Sequence, residues 1–135
     1  MNSEEYPICV IEDNKGIRKM FCILLNKAGF KTIEFDNGKS AIDWLDSNQA
    51  GGIIADILLP DMNGTEILKS VRQLLWGNKV AIIAVTGFAL ASDKDKYLNM
   101  GFDGYISKPV DTQTFTVSVK EIIENKKINP DNHYN

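Results

Sequence analysis

The sequence predicts a doubly wound α/β domain, a five-stranded parallel sheet with five helices on its two faces. Two patterns carry that expectation. Short unbroken apolar runs, as expected of strands buried on both faces, alternate with segments whose apolar residues recur at helical spacing, and the alternation repeats along the whole chain. The composition agrees: 135 residues with 44% hydrophobic and 24% charged side chains make one ordinary globular domain, long enough to bury a core.

The elements follow in order. Ile8-Cys9-Val10-Ile11 reads as a first buried strand. Ile17, Met20, Phe21, Leu24, Leu25 and Ala28 mark a helix with Asn14 as its N-cap and Gly29 as its stop. Thr32-Ile33-Glu34-Phe35 alternates like a half-exposed strand, and Ala41, Ile42 and Leu45 mark a short helix after the turn Asp36-Asn37-Gly38. Gly52-Ile53-Ile54-Ala55 is the third strand, and Ile67, Leu68, Val71, Leu74 and Leu75 stripe the helix beyond it. Val80-Ala81-Ile82-Ile83-Ala84-Val85 is the clearest buried strand, followed by a weaker helix from Ser92 to Met100 that Gly101 closes. Gly104-Tyr105-Ile106-Ser107 is the fifth strand, and Asp111 can cap a last helix carrying Phe115, Val119, Ile122 and Ile123. The pattern frays from about Lys126, so the expected domain spans 8–127, between an N-terminal extension at 1–7 and a disordered tail at 128–135.

Several chemistries are excluded early. The lone histidine, His133, stands in a polar tail, which argues against a histidine-dependent triad or a multi-histidine metal site. The two cysteines, Cys9 and Cys22, lie in apolar runs without partners at ligand spacing and read as small buried hydrophobes. A net charge of −3 gives no pull on nucleic acid or anionic lipid. No signal peptide and no apolar run of spanning length are visible, so a cytoplasmic location is expected. Gly38-Lys39-Ser40 ends like a phosphate loop, but Ile33 stands where that motif needs its first glycine.

In a doubly wound sheet, ligands bind outside the carboxyl ends of the strands. There the sequence places Glu12 and Asp13 after the first strand, Asp56 after the third, Thr86 after the fourth and Lys108-Pro109 after the fifth. Carboxylates gathered on one rim repel one another, and a hard divalent cation resolves the conflict; few protein oxygens with retained waters suit Mg²⁺ better than Ca²⁺. With the metal in place, one of the carboxylates can act as nucleophile, while the metal and Lys108 neutralise charge on a transferring phosphoryl group. Each residue has a duller reading, as a solvated loop or a strand-ending threonine. The constellation carries the case.

Ile11-Glu12-Asp13-Asn14, Ala55-Asp56-Ile57-Leu58-Leu59-Pro60-Asp61-Met62-Asn63-Gly64, Val85-Thr86-Gly87 and Tyr105-Ile106-Ser107-Lys108-Pro109 together resemble the receiver domain of two-component response regulators, over about Ile8 to Asn125. The resemblance implies the flavodoxin-like strand order 2-1-3-4-5. It implies Asp56 as acceptor of a phosphoryl group from the phosphohistidine of a sensor histidine kinase or histidine phosphotransfer protein. Glu12, Asp13, Asp56 and the backbone carbonyl of Leu58 would hold Mg²⁺, and Lys108 would contact a phosphoryl oxygen and Asp56. Pro109 would follow a cis peptide bond. Thr86 would bond the phosphoryl group and Tyr105 would swing inward behind it, changing a partner-binding face on the fourth helix, fifth strand and fifth helix. Leu58 and Phe88 take the positions that flank the hydrolytic water; both are apolar, which implies slow self-dephosphorylation.

Two other readings stay open at this point. One is a receiver-like module that binds partners without phosphorylation, against which Asp56, Thr86 and Lys108 speak. The other is a flavodoxin-like cofactor binder, which would want hydroxyls and glycines where Glu12 and Asp13 stand. The chain reads equally as a free-standing regulator or as a receiver cut from a larger protein.

Overall fold

Side chains that alternate in direction along each strand sort the core into two halves, one on each face of the sheet. The computed structural model describes residues 6–87 and 92–130. Five strands, β1 (Ile8–Ile11), β2 (Thr32–Phe35), β3 (Gly52–Asp56), β4 (Ile82–Thr86) and β5 (Gly104–Ser107), alternate with α1 (Lys15–Lys27), α2 (Gly38–Leu45), α3 (Gly64–Arg72), α4 (Asp93–Met100) and α5 (Phe115–Ile128). All neighbouring strands pair in parallel, in the order β2-β1-β3-β4-β5. Cys9, Ile11, Ile53, Ala55, Ile82 and Ala84 face α2 and α3, against Ala41, Leu45, Ile67, Leu68 and Val71. Ile8, Val10, Ile54, Ile83 and Val85 face the other way, against Phe21 and Leu25 of α1 and Phe115, Val119 and Ile123 of α5. The period of two in a strand makes this partition inevitable once helices cover both faces. Cys9 and Cys22 are buried and free.

Local chemistry sets the helix ends. Asn14 caps α1 by accepting from the Ile17 amide at 3.0 Å. Asn63 caps α3 in a full capping box with Glu66. The chain leaves α1 and α4 through Gly29 (φ 96°) and Gly101 (φ 116°), left-handed positions that glycine adopts without strain.

The structure corrects the sequence reading at three places. Helix α3 stops at Arg72, and Leu75, expected on its apolar stripe, is fully exposed at 105%. The cause is Arg72 itself, whose guanidinium takes the carbonyls of Gly77 (2.6 Å) and Val80 (2.9 Å) and folds the following segment back as turns. Asp111 caps the turn before α5 instead of α5 itself: its side chain accepts from the Gln113 amide, and Thr114 is the N-cap. The last helix does not fray at Lys126. It continues to Ile128, and Lys126 is buried with its ammonium 3.0 Å from Asp103. The remaining residues of the expected N-terminal extension and tail, 1–5 and 131–135, lie outside the described residues.

Candidate functional site

Parallel register brings the carboxyl ends of β1, β3, β4 and β5 to one rim. Asp56 pairs across from Val85 as the last residue of β3, and Thr86 pairs with Ser107 as the last residue of β4. Beyond these strand ends the backbone stays tied: the Glu12 amide donates to Phe35 (3.0 Å), Ile57 to Val85 (2.9 Å) and Lys108 to Thr86 (2.9 Å). The acidic residues are therefore presented by backbone that is hydrogen-bonded to the sheet.

Glu12, Asp13 and Asp56 offer carboxylate oxygens that all lie within 4.8 Å of one another. Glu12 and Asp56 are buried and Asp13 is exposed. Among the described residues a single ammonium faces them: Lys108 Nζ stands 2.5 Å from Glu12 Oε1 and 3.1 Å from Asp56 Oδ2. Asp56 Oδ1 accepts from the Leu58 amide at 3.2 Å, and Glu12 Oε2 from the Asn14 amide at 3.0 Å. Burial pushes the Glu12 pKa up; Lys108 and the Asn14 amide oppose this and the charge of Asp56 adds to it, leaving the net value raised. Burial works against the Lys108 ammonium, but its hydrogen bonds to Glu12 and Asp56 outweigh that and hold its pKa above the usual value. The peptide bond between Lys108 and Pro109 is cis.

The cluster carries more negative than positive charge, and its donors are all hard oxygens with one open flank at Asp13. That donor set fits a divalent cation that keeps some of its water.

The loop from β3 into α3 is fixed on several sides. The Gly64 amide donates to the Ile57 carbonyl at 2.7 Å, and Asp61 accepts from the Gly38 and Lys39 amides at the start of α2, each at 2.8 Å. A Cβ on Gly64 would meet the Asp56 carbonyl oxygen at 2.6 Å, so only glycine lets α3 begin this close to the acceptor strand. Leu58 projects from this loop with its side chain 51% exposed. Phe88 lies outside the described residues.

Tyr105 belongs to a separate aromatic group. Its ring stacks on Tyr97 of α4 at 6.0 Å, and Tyr97 meets Phe102 edge-on at 6.0 Å. Burial, then the nearby Asp93 and Tyr97, raise the Tyr105 pKa. Its hydroxyl is buried with no hydrogen-bond partner among the described residues.

One residue beside the rim escapes sequence reasoning. Arg18 Nη1 donates to the Glu12 carbonyl at 2.9 Å and its Nε to Glu34 at 2.9 Å. The available signal was a charged residue, Glu34, in the middle of a short strand, one that required a cationic partner on the helix above it.

The chain belongs to the response regulator receiver domain family, which it matches over residues 8–120. Receiver domains are signalling modules of two-component systems and not enzymes acting on an external substrate. The polar-differentiation response regulator DivK of Brucella anthropi is 31% identical over 116 residues, covering 86% of this chain and 94% of that one. Histidine kinase P4 of Formosa agariphila is 31% identical over 123 residues, which are 91% of this chain and 9% of the kinase. A CheY-like response regulator receiver domain protein of Methanospirillum hungatei superposes with a TM-score of 0.80 at 26% identity, over 91% of this chain and 97% of its own. The chemotaxis response regulator CheY4 of Vibrio cholerae shares the fold, with a TM-score of 0.80 over 87% and 98% of the two chains. No helix among the described residues is long and apolar enough to cross a membrane.

Proposed function

We propose that this receiver takes a phosphoryl group onto Asp56 from the phosphohistidine of a sensor histidine kinase or histidine phosphotransfer protein, in the cytoplasm and with Mg²⁺ as cofactor. The observation that carries the reading is the buried Asp56 carboxylate at the end of β3, 3.1 Å from Lys108 Nζ and within 4.8 Å of the Glu12 and Asp13 carboxylates. A carboxylate oxygen of Asp56 attacks phosphorus, the P–N bond to the donor imidazole breaks, and the imidazole leaves as the neutral ring after taking up a proton. Glu12, Asp13, Asp56 and the Leu58 carbonyl would hold Mg²⁺, which supplies charge neutralisation for the transferring group. Lys108, whose ammonium already stands at Asp56, compensates the charge that arrives there. Thr86, buried at the end of β4, offers its hydroxyl to the new phosphoryl group. Tyr105 follows it inward, and the face formed by α4, β5 and α5 changes for a downstream protein.

The apolar Leu58 beside Asp56 offers nothing to orient a hydrolytic water, and Phe88 is assigned the same part; the acyl phosphate is therefore long-lived. The test is intact-protein mass after incubation with phosphoramidate, with and without Mg²⁺, beside Asp56→Asn. A Mg²⁺-dependent gain of one phosphoryl group that hydroxylamine removes and the variant lacks supports the reading. No gain on folded protein overturns it, and decay within seconds overturns the long-lived adduct alone.

A further inference from the structure

We infer that Arg18 is a positioning residue for the acidic rim, held by Glu34 and acting through the main chain of Glu12 and Asp13; this rests on the rim being the cation-binding, phosphoryl-accepting site proposed above. Arg18 Nη1 donates to the Glu12 carbonyl at 2.9 Å and reaches the Asp13 carbonyl at 3.5 Å. Its Nε donates to Glu34 Oε1 at 2.9 Å, and Lys19 Nζ meets the same oxygen at 2.9 Å. The Arg18 side chain is only 12% exposed. One guanidinium thus ties α1 and the middle of β2 to the segment that leaves β1.

That segment is where the site is built. The Glu12 amide is already bonded to Phe35, so Arg18 fixes the other polar group of the same residue and leaves its main chain no free donor or acceptor. Fixing both ends of that main chain fixes the direction in which the Glu12 and Asp13 side chains leave it. The guanidinium is planar and presents its donors as a rigid fork, so its hold on Glu34 determines where the carbonyls sit. A lysine reaches one of the two ends, not both. The described hydrogen bonds of Arg18 go to main-chain carbonyls and to Glu34, and none goes to the carboxylates of Glu12, Asp13 or Asp56. Positive charge is therefore brought to an acidic loop without occupying the oxygens that a cation needs.

The test compares the full chain with Arg18→Gln, Arg18→Lys and Glu34→Gln in two measurements. The first is hydrogen exchange of the Asn14 amide, which bonds to Glu12 Oε2, in metal-free buffer. The second is the rate of phosphoramidate-driven phosphorylation by intact mass across a Mg²⁺ titration, separating the apparent Mg²⁺ constant from the rate at saturation. Loss of a group that orients ligands typically weakens metal affinity by about tenfold or more. Arg18→Gln is expected to raise the apparent Mg²⁺ constant by about tenfold, to speed Asn14 exchange, and to leave the saturated rate nearly intact. Arg18→Lys is expected to follow it, and Glu34→Gln to shift both readouts in the same direction by less. If Arg18→Lys matches the wild type in both, charge alone is at work and the inference is overturned. If the variants lower only thermal stability, Arg18 is structural and the inference is again overturned. A wild type that shows no Mg²⁺ dependence overturns the reading of the rim, and this inference with it; a responsive wild type with unaltered variants overturns the Arg18 inference alone.

Discussion

Two partly buried charge clusters stand at opposite ends of the same sheet. At the carboxyl ends of the strands, three carboxylates face the single ammonium of Lys108. At the amino ends, the single carboxylate of Asp103 faces two cations, Arg72 at 2.8 Å and Lys126 at 3.0 Å, and also accepts the Ile82 amide at 2.9 Å. Arg72 gives its remaining bonds to the carbonyls of Gly77, Val80 and Gly101. The lower knot is saturated: Asp103 has a partner on each oxygen, and it joins α3, β4, the turn after α4 and α5. The upper cluster keeps unmatched negative charge, although burial makes such charge costly. That imbalance at one end only is what a bound cation would relieve, as proposed for the rim.

The sharpest way to break the comparison is to cut the lower knot. Arg72→Ala removes the donors to three carbonyls and one of the two cations at Asp103, which keeps Lys126 and the Ile82 amide, and should cost about 3–5 kcal/mol in urea unfolding. An effect below about 1 kcal/mol would show that the knot is ornamental. Next in size is Gly64→Ala, which presses a methyl group on the Asp56 carbonyl. It should lose about 1–3 kcal/mol and slow phosphorylation of Asp56 in the mass assay. A variant that keeps full phosphorylation would separate the α3 junction from the site.

The brace beside the rim gives a smaller, pH-dependent effect. Hydrogen bonds from Lys19 and then Arg18 hold the Glu34 carboxyl below the ordinary carboxylate range. A depressed folded-state pKa stabilises fully above the ordinary value of about 4.3, and the contribution fades as pH falls through the lower folded value. Urea midpoints of wild type and Glu34→Gln should therefore differ at pH 7 and converge on acidification, with a gap at pH 7 of about 1 kcal/mol or less. Smallest of all is Lys39→Ala. The Lys39–Asp43 pair spans 3.0 Å but both side chains are exposed, so its removal should cost under about 0.5 kcal/mol.

The same contrast decides what could be read from the sequence. The upper site was legible because its members stand immediately after apolar strands, where an ionisable residue such as Asp56 in Ile53-Ile54-Ala55-Asp56-Ile57 needs a reason. The strands and most helix ends were legible through apolar runs and the caps at Asn14 and Gly101. The lower knot was not. Arg72 and Lys126 sit at the ends of amphipathic helices, where cations are ordinary, and their stems bury while their heads reach a carboxylate far along the chain. That is why Leu75 reads as helical and Lys126 as fraying: the local pattern carries no trace of the Gly77 and Val80 carbonyls that Arg72 holds, or of the Asp103 that Lys126 meets. Arg18 was hidden in part for the same reason: Glu34 in β2 called for a cation, but the main-chain carbonyls that the guanidinium also holds leave no mark in a side-chain pattern.

Thermal unfolding of wild type and Asp13→Asn, each with and without Mg²⁺, tests most directly whether the upper cluster is held in surplus charge for a cation. Removing one carboxylate should relieve repulsion and raise the metal-free midpoint by about 2–4 °C, while the stabilisation that Mg²⁺ gives the wild type disappears. A variant that melts lower than wild type without metal, or that keeps the full Mg²⁺ response, would contradict the account.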